Sequence, residues 1–276
     1  MCRWLAYHGG SLQLEELILR PKHSLIDQSL HSERGAETTN GDGFGIGWYG
    51  ERPTPGVFHS IQPAWNNRNL RDLVEHLAAP VFLAHVRAAT TGPIQKTNCH
   101  PFRYRNWLFV HNGLIRQHHY VRRELLLAVD PAYFIDIEGT TDSELMFYLA
   151  LTLGLEEEPI PAIGRMVGLV EEIGRRNNVE FPMQMSLGFS DGKRLYAVRY
   201  STEGNSRTLF HSADVAAIKE LHRERARLQR LSDDAVMVVS EPLVDLEGAW
   251  VEIPEATALI VHDGTVEQLP FKPMMP

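Results

Sequence analysis

This sequence of 276 residues is poor in cysteine and has no long apolar run. Its two cysteines, Cys2 and Cys99, are too few for a disulfide framework and suit a reducing compartment, so we expect a cytoplasmic protein. No stretch approaches the roughly 18 apolar residues that a membrane-spanning helix needs. The N-terminus also lacks a basic segment followed by an apolar stretch, so we expect no secretory signal.

Recognised metal and nucleotide motifs are missing too. Despite 13 histidines, there is no CxxC, HExxH or Walker-type sequence, and we expect neither a metal nor a cofactor. The formal net charge is −8, which argues against nucleic acid or an anionic membrane as the main partner. The hydrophobic content of 43% is that of an ordinary soluble globular protein with a full core.

The pattern of apolar residues predicts an α+β protein. Runs of strands alternate with runs of helices, and Asp191-Gly192 and Asp263-Gly264 each predict a hairpin. Helices are expected at residues 11–20 and 142–153, the latter capped by Thr141 or Asp142. We expect a single domain over residues 1–276, with the motifs in 2–150 and with 180–276 completing the sheets.

Cys2 is the first residue along the chain that could act in catalysis. Its small side chain permits removal of Met1, after which a thiol and a free α-amine would share one Cα. Such an N-terminal residue can act as a nucleophile with its own amine as the base. The alternative is a cysteine that merely happens to be second, and position alone does not decide between the two.

Three further segments carry side chains that could take part in catalysis or substrate binding. Arg87 closes an apolar strand, where it could clamp a carboxylate or pair with a surface glutamate. Asn112-Gly113 closes another, and could be a simple turn or the donor pair of an oxyanion hole. Asp142 opens a helix, where it could cap the helix or hold a ligand ammonium group.

In this order, the segments resemble the class II, N-terminal-nucleophile glutamine amidotransferases. The matching motifs are Cys2-Arg3, residues 40–45 (NGDGFG), Arg87-x-x-Thr90-x-Gly92, Asn98-x-His100-Pro101-Phe102, His111-Asn112-Gly113 and Asp142-Ser143-Glu144. Residues 20–25 (RPKHSL), 63–67 (PAWNN), 97–102 (TNCHPF) and 240–243 (SEPL) further resemble small stand-alone members, in particular the amidotransferase-like subunit of the fungal alternative glutathione-degradation complex.

The resemblance implies a four-layer αββα sandwich of the N-terminal-nucleophile hydrolase type and a role for each motif residue. Cys2 would attack a γ-glutamyl carbonyl and form a thioester, and Asn112 with the Gly113 N–H would stabilise the oxyanion. Arg87 would bind the substrate α-carboxylate and Asp142 its α-ammonium, with Thr90 close to the substrate. Glutamine and γ-glutamyl compounds such as glutathione share this zwitterionic head, so the leaving group stays open.

Two alternatives remain at this level. The chain could be a glutaminase subunit that delivers ammonia to a separate synthase, because it carries no synthase motif of its own. It could also be a non-catalytic regulatory subunit, although the joint presence of Cys2, Arg87, Asn112 and Asp142 argues against that. A separate peptidase subunit is the partner that the fungal complex suggests.

Overall fold

The computed structural model describes residues 2–33, 39–89, 92–224 and 226–275. Two antiparallel sheets form the centre of this part of the chain. The strands of the first sheet are β1 (Arg3–Gln13), β2 (Phe44–Tyr49), β3 (Gly56–Ser60), β4 (Ala78–Val86), β9 (Phe210–Ser212), β10 (Val236–Val239) and β11 (Trp250–Glu252). They are ordered β11-β9-β10-β1-β4-β2-β3, so β1 lies in the middle.

The second sheet faces the first. Its strands are β5 (Phe102–Tyr104), β6 (Trp107–Ile115), β7 (Met183–Ser190), β8 (Leu195–Ser201), β12 (Thr257–His262) and β13 (Thr265–Pro270), in the order β13-β12-β8-β7-β6-β5. The predicted hairpins at Asp191-Gly192 and Asp263-Gly264 connect β7 to β8 and β12 to β13.

Helices cover the outer faces of both sheets. They are α1 (Glu15–Ile18), α2 (Leu25–Leu30), α3 (Arg68–His76), α4 (His118–Leu127), α5 (Pro131–Phe134), α6 (Asp142–Thr152), α7 (Pro159–Arg176) and α8 (Val215–Leu221). The predicted helix at 142–153 is therefore confirmed as α6. Its N-cap is Thr141, whose hydroxyl accepts a hydrogen bond from the Glu144 N–H.

Three layers of apolar side chains hold the sandwich together. Trp4 and Leu108 belong to the layer between the sheets. Leu5 packs with helix residues outside the first sheet, and Phe109 does the same outside the second. Because neighbouring residues of a strand point to opposite faces, β1 and β6 each feed two of these layers. The expected four-layer αββα arrangement is confirmed.

The predicted helix at residues 11–20 is mostly wrong. Its first three residues continue β1, where Leu12 pairs with Ala79 after an irregularity in the ladder. The helical part is confined to Glu15–Ile18. Pairing with β4 is a long-range interaction that overrides the local helix signals, a cap at Ser11 and a stop at Pro21.

Candidate active site

Cys2 lies at the end of the central strand pair. Arg3 pairs with Val86 in the β1–β4 ladder, so Cys2 stands across from Arg87, one step further along. Because alternate residues of a strand point to the same face, Cys2 points to the same face as Trp4, and Arg87 to the same face as Leu83. The side chains of Trp4 and Leu83 both lie between the sheets. The thiol and the guanidinium group thus belong to the same inter-sheet space.

The Cys2 thiol is in a partly desolvated position. Its Sγ lies 3.6 Å from the Ala88 carbonyl oxygen. Burial raises the pKa of the thiol, while the positive charges of Arg87 and Arg3 oppose that shift. The two arginines therefore favour the thiolate, the form that acts as a nucleophile.

Trp4 connects the Cys2 strand to the opposite sheet. Its indole Nε1 lies 3.3 Å from both the carbonyl and the hydroxyl oxygen of Ser186, and Ser186 pairs with Asn112 in the β6–β7 ladder. The backbone of Trp4 is also fixed, because its N–H donates to the Ser240 hydroxyl at 3.0 Å and its carbonyl accepts from the Ser240 N–H at 3.0 Å.

Asn112 and Gly113 lie inside β6, so the interpretation of this pair as a simple turn is wrong. Asn112 is buried, and alternation with Val110 turns its side chain toward the inter-sheet layer. Gly113 has φ +152°, and a Cβ there would lie 2.0 Å from the Gln184 carbonyl oxygen and 2.6 Å from His111 Nε2. Only glycine fits this position without moving the backbone.

Asp142 is held against the same strand. Its Oδ2 accepts a hydrogen bond from the Ile115 N–H at 2.8 Å, and its Oδ1 accepts from the Ser143 N–H at 2.9 Å. The Ser143 hydroxyl, 3.4 Å from Oδ1, also lies 2.8 Å from His111 Nδ1. A carboxylate has about four acceptor positions, so Asp142 keeps capacity for one more donor.

Arg87 is fixed through its backbone by the glycine-rich segment. Its N–H donates to the Gly43 carbonyl at 2.8 Å, and its carbonyl accepts from the Asp42 N–H at 2.9 Å. The Asp42 carboxylate in turn accepts from the Ala89 N–H at 2.7 Å. The motif at residues 40–45 therefore supports the strand end that carries the guanidinium group.

Thr90, which is expected close to the substrate, and Met1 lie outside the described residues. The predicted roles of the site residues stay predictions. The structure does place Cys2, Arg87 and Asn112 around the same inter-sheet space, with Asp142 bonded two residues beyond Gly113.

Asn98 is a residue whose contribution the sequence did not reveal, although it belongs to one of the motifs. Its amide donates to the Pro93 carbonyl at 2.9 Å and to the Thr140 hydroxyl at 3.2 Å, and its oxygen accepts from the Thr140 N–H at 2.9 Å. This fully buried side chain ties the segment after Arg87 to the N-terminus of α6. Only the pairing in three dimensions identifies it.

Two residues beyond Asp142, Glu144 braces the turn that precedes α6. Its carboxylate accepts from the N–H groups of Glu138 and Gly139 at 3.0 and 2.7 Å. Burial nonetheless raises the pKa of Glu144 to about 7.

Two neighbouring histidines, His85 and His100, are buried. The rings of His85 and His100 are 4.1 Å apart. Burial lowers the pKa of His85 to about 3 and that of His100 well below its ordinary value.

In the ranges given above, no group of three or more His, Cys, Asp or Glu side chains is arranged to hold a metal ion. Nor does any described helix have the length and apolar character to cross a membrane.

Similarity to known proteins covers nearly the whole chain. Probable glutamine amidotransferase DUG3 of Saccharomyces cerevisiae is 31% identical over 96% of this chain and 83% of its own length. The gamma-glutamyl-hercynylcysteine sulfoxide hydrolase of Mycolicibacterium smegmatis is 28% identical over 98% of this chain and 100% of its own.

Solved structures agree with the sequence relatives. A glutamine aminotransferase class-II domain protein from Silicibacter pomeroyi superposes with a TM-score of 0.76, with 30% identity and 99% of both chains covered. Glutamine phosphoribosylpyrophosphate amidotransferase from B. subtilis has the same fold, with a TM-score of 0.65 and 15% identity, and this chain spans 50% of its length. The family profile described as Glutamine amidotransferases class-II matches residues 21–275. The chain therefore belongs to the class II glutamine amidotransferase family of enzymes.

Proposed function

We propose that this protein hydrolyses a γ-glutamyl amide through a thioester on Cys2. The observation that carries the proposal is the position of Cys2 and Arg87, each one residue beyond the terminal Arg3–Val86 pair of the β1–β4 ladder. Trp4, two residues after Cys2, contacts the strand that pairs with Asn112. A nucleophile, an anion-binding side chain and an amide donor thus surround one space.

The reaction has two steps. The Cys2 sulfur attacks the γ-carbonyl carbon, the carbon–nitrogen bond breaks, and the leaving amine takes a proton. Water then cleaves the thioester, which releases glutamate and restores the thiol. After removal of Met1 the α-amine of Cys2 would serve as the base, since its pKa of about 7.7–8.0 lies near that of a thiol.

The oxyanion of each step requires donors fixed in advance. Asn112 and the N–H of Gly113 would supply them, and the absence of a Cβ at Gly113 supports this role because it keeps the strand close to β7. Removing one donor of an oxyanion hole lowers kcat about 10²–10³-fold.

Recognition of the substrate would rest on the zwitterionic head. Arg87 can bind the α-carboxylate bidentately, and Asp142 has acceptor capacity left for the α-ammonium, with Thr90 nearby by family pattern. The relatives that match over nearly the whole chain include one named for hydrolysis of a γ-glutamyl sulfoxide compound and one named for glutamine amidotransfer. We infer a γ-glutamyl small molecule, either glutamine or a γ-glutamyl peptide or thiol such as glutathione, as the substrate, and a cytoplasmic location, which the two free cysteines support.

The test is a hydrolysis panel on the purified protein, after intact mass has shown that Met1 is removed. Glutamine, glutathione and other γ-glutamyl amides are compared for release of glutamate. Cys2→Ala is expected to lower kcat at least about 10³-fold, because loss of a nucleophile removes the covalent route.

Cys99→Ala is the matched control. Cys99 is the other free cysteine and is fully buried, with its Sγ 3.5 Å from the Ser60 carbonyl oxygen. It should keep hydrolysis near the parent rate. Full activity in the Cys2→Ala protein, or no glutamate from any member of the panel, would contradict the proposal.

A further inference from the structure

A chain of alternating charges runs from the strand next to Cys2 through buried side chains to the partly exposed Asp27. The Nε of Arg3 donates to Oε1 of Glu241 at 2.5 Å, and Oε2 of Glu241 lies 2.9 Å from His23 Nε2. The other ring nitrogen of His23 lies 3.0 Å from Oδ2 of Asp27. Arg3 and Glu241 are 2% and 1% exposed, so the centre of this chain is inaccessible to water.

Arg3 has a second contact that reaches the nucleophile. Its Nη1 donates to the carbonyl oxygen of Cys2 at 2.9 Å. The guanidinium group is planar and rigid. Fixing Nε on Glu241 therefore fixes the direction in which Nη1 holds the Cys2 carbonyl. The same positive charge favours the thiolate of Cys2.

His23 holds the far side of Glu241. Ionised carboxylates only accept hydrogen bonds, so a ring with each nitrogen on a carboxylate can donate to both only as an imidazolium, and this arrangement favours that form. Burial alone would lower the pKa of His23, but the hydrogen bonds to Glu241 and Asp27 outweigh it and raise the value. The Glu33 N–H also donates to Glu241 Oε2, at 3.2 Å.

Stability alone is a poor explanation of this arrangement. Burying an ion pair costs desolvation that its attraction often fails to recover, and apolar residues of similar volume can replace such pairs without loss. An apolar replacement would not, however, orient a donor onto the Cys2 carbonyl. His23 and Glu241 belong to the sequence motifs at residues 20–25 and 240–243, to which the proposed reaction assigns no role.

We propose that Glu241 is a positioning residue for the nucleophile. It fixes the orientation of the Arg3 guanidinium, so that Arg3 donates to the Cys2 carbonyl. His23 binds the other carboxylate oxygen of Glu241 and so fixes Glu241 itself. The inference rests on the proposed function, in which Cys2 is the attacking group. Glu241 acts only through Arg3 and not by contact with the substrate.

The experiment compares Glu241→Gln and His23→Gln with Glu15→Gln as the matched control. Glu15 is also a buried glutamate paired with an arginine, Arg20, at 2.8 Å, but it lies in α1. Three quantities are measured for each protein: kcat and KM, the unfolding free energy, and the rate at which iodoacetamide alkylates Cys2 as a function of pH, read by peptide mapping.

For Glu241→Gln we expect kcat to fall about 10- to 100-fold with KM changed by less than about threefold, since a misplaced nucleophile affects the transition state more than binding. The midpoint of Cys2 alkylation should move to higher pH, because Arg3 is no longer held near the thiol. His23→Gln, at a partly exposed position, should lower kcat about 3- to 10-fold and keeps the test available if Glu241→Gln does not fold. Glu15→Gln should change stability only.

The inference is overturned if a folded Glu241→Gln or His23→Gln protein keeps kcat within about twofold of the parent. Failure of the proposed function is a different result, in which the parent itself hydrolyses no γ-glutamyl compound. In that case the pH profile of Cys2 alkylation still tests the positioning role of Glu241. An unchanged midpoint in Glu241→Gln refutes the positioning role, and a raised midpoint supports it.

Discussion

Replacing Gly113 by alanine should damage both stability and turnover, and the structure gives the size of the effect. The added Cβ would lie 2.0 Å from the Gln184 carbonyl oxygen, about 1 Å less than the shortest approach that Cβ atoms make. Gln184 is a backbone neighbour across the β6–β7 ladder, so the contact cannot be relieved by turning a side chain. The added Cβ would also lie 2.6 Å from His111 Nε2, which is a second overlap.

Two costs follow. Overpacking of this kind costs about 1–3 kcal/mol, and a non-glycine residue at φ +152° adds about 1–3 kcal/mol of backbone strain. We therefore expect Gly113→Ala to lose about 2–6 kcal/mol of unfolding free energy. Since β6 must move away from β7 to accept the methyl group, the Gly113 N–H moves with it, and kcat should fall about 10²-fold.

The assay pairs urea unfolding, followed by circular dichroism, with kcat at saturating substrate. Gly204→Ala is the control, because Gly204 also has a positive φ, +75°, but a Cβ there would have no atom within 4 Å. It should show only the backbone cost of about 1–2 kcal/mol and parental kcat. Equal stability of the two variants would refute the steric argument, and parental kcat in a folded Gly113→Ala would refute the oxyanion role.

Two further changes test other parts of the site. Asn98→Ala removes the hydrogen bonds to Pro93 and Thr140 and should cost about 1–3 kcal/mol in urea unfolding, with an increase in KM because the segment after Arg87 loses its anchor; an unchanged KM would contradict that coupling. His100→Phe should make the protein less sensitive to acid. Burial first, and then neighbouring positive charge, lower the pKa of His100 in the fold, so the unfolded chain binds the proton first and stability falls as the pH drops below about 6.5. The variant should lack this part of the slope, at most about 1.4 kcal/mol per pH unit, and equal slopes in both proteins would count against a neutral buried His100.

The sequence predicted the elements whose apolar pattern is local and strong. The helix α6 and both Asp-Gly hairpins are where they were expected. The helix predicted at residues 11–20 failed because Leu12 pairs with Ala79, a partner far along the chain. Asn112-Gly113 resembled a turn, but packing against Gln184 keeps it in a strand.

The candidate site shows the same division. Motif order identified Cys2, Arg87 and Asp142 as chemical residues, because their types and neighbours are visible in one dimension. That Cys2 stands across from Arg87 depends on the register of β1 against β4, which a single sequence does not specify. The contact between Arg3 and Glu241 spans 238 positions, so only the folded chain reveals it.

The contact of the Trp4 indole with the second sheet should limit which substitutions this enzyme tolerates during evolution. The Trp4 side chain extends from β1 to Ser186 in the other sheet. A Cβ on Gly188 would lie 2.7 Å from its ring. The two sheets therefore cannot slide past each other without shifting the thiol relative to Asn112. Substitutions deep in the inter-sheet layer, remote from any substrate atom, are thus exposed to selection on turnover as well as on folding. Mutational drift in this layer should therefore be narrower than its packing alone would require.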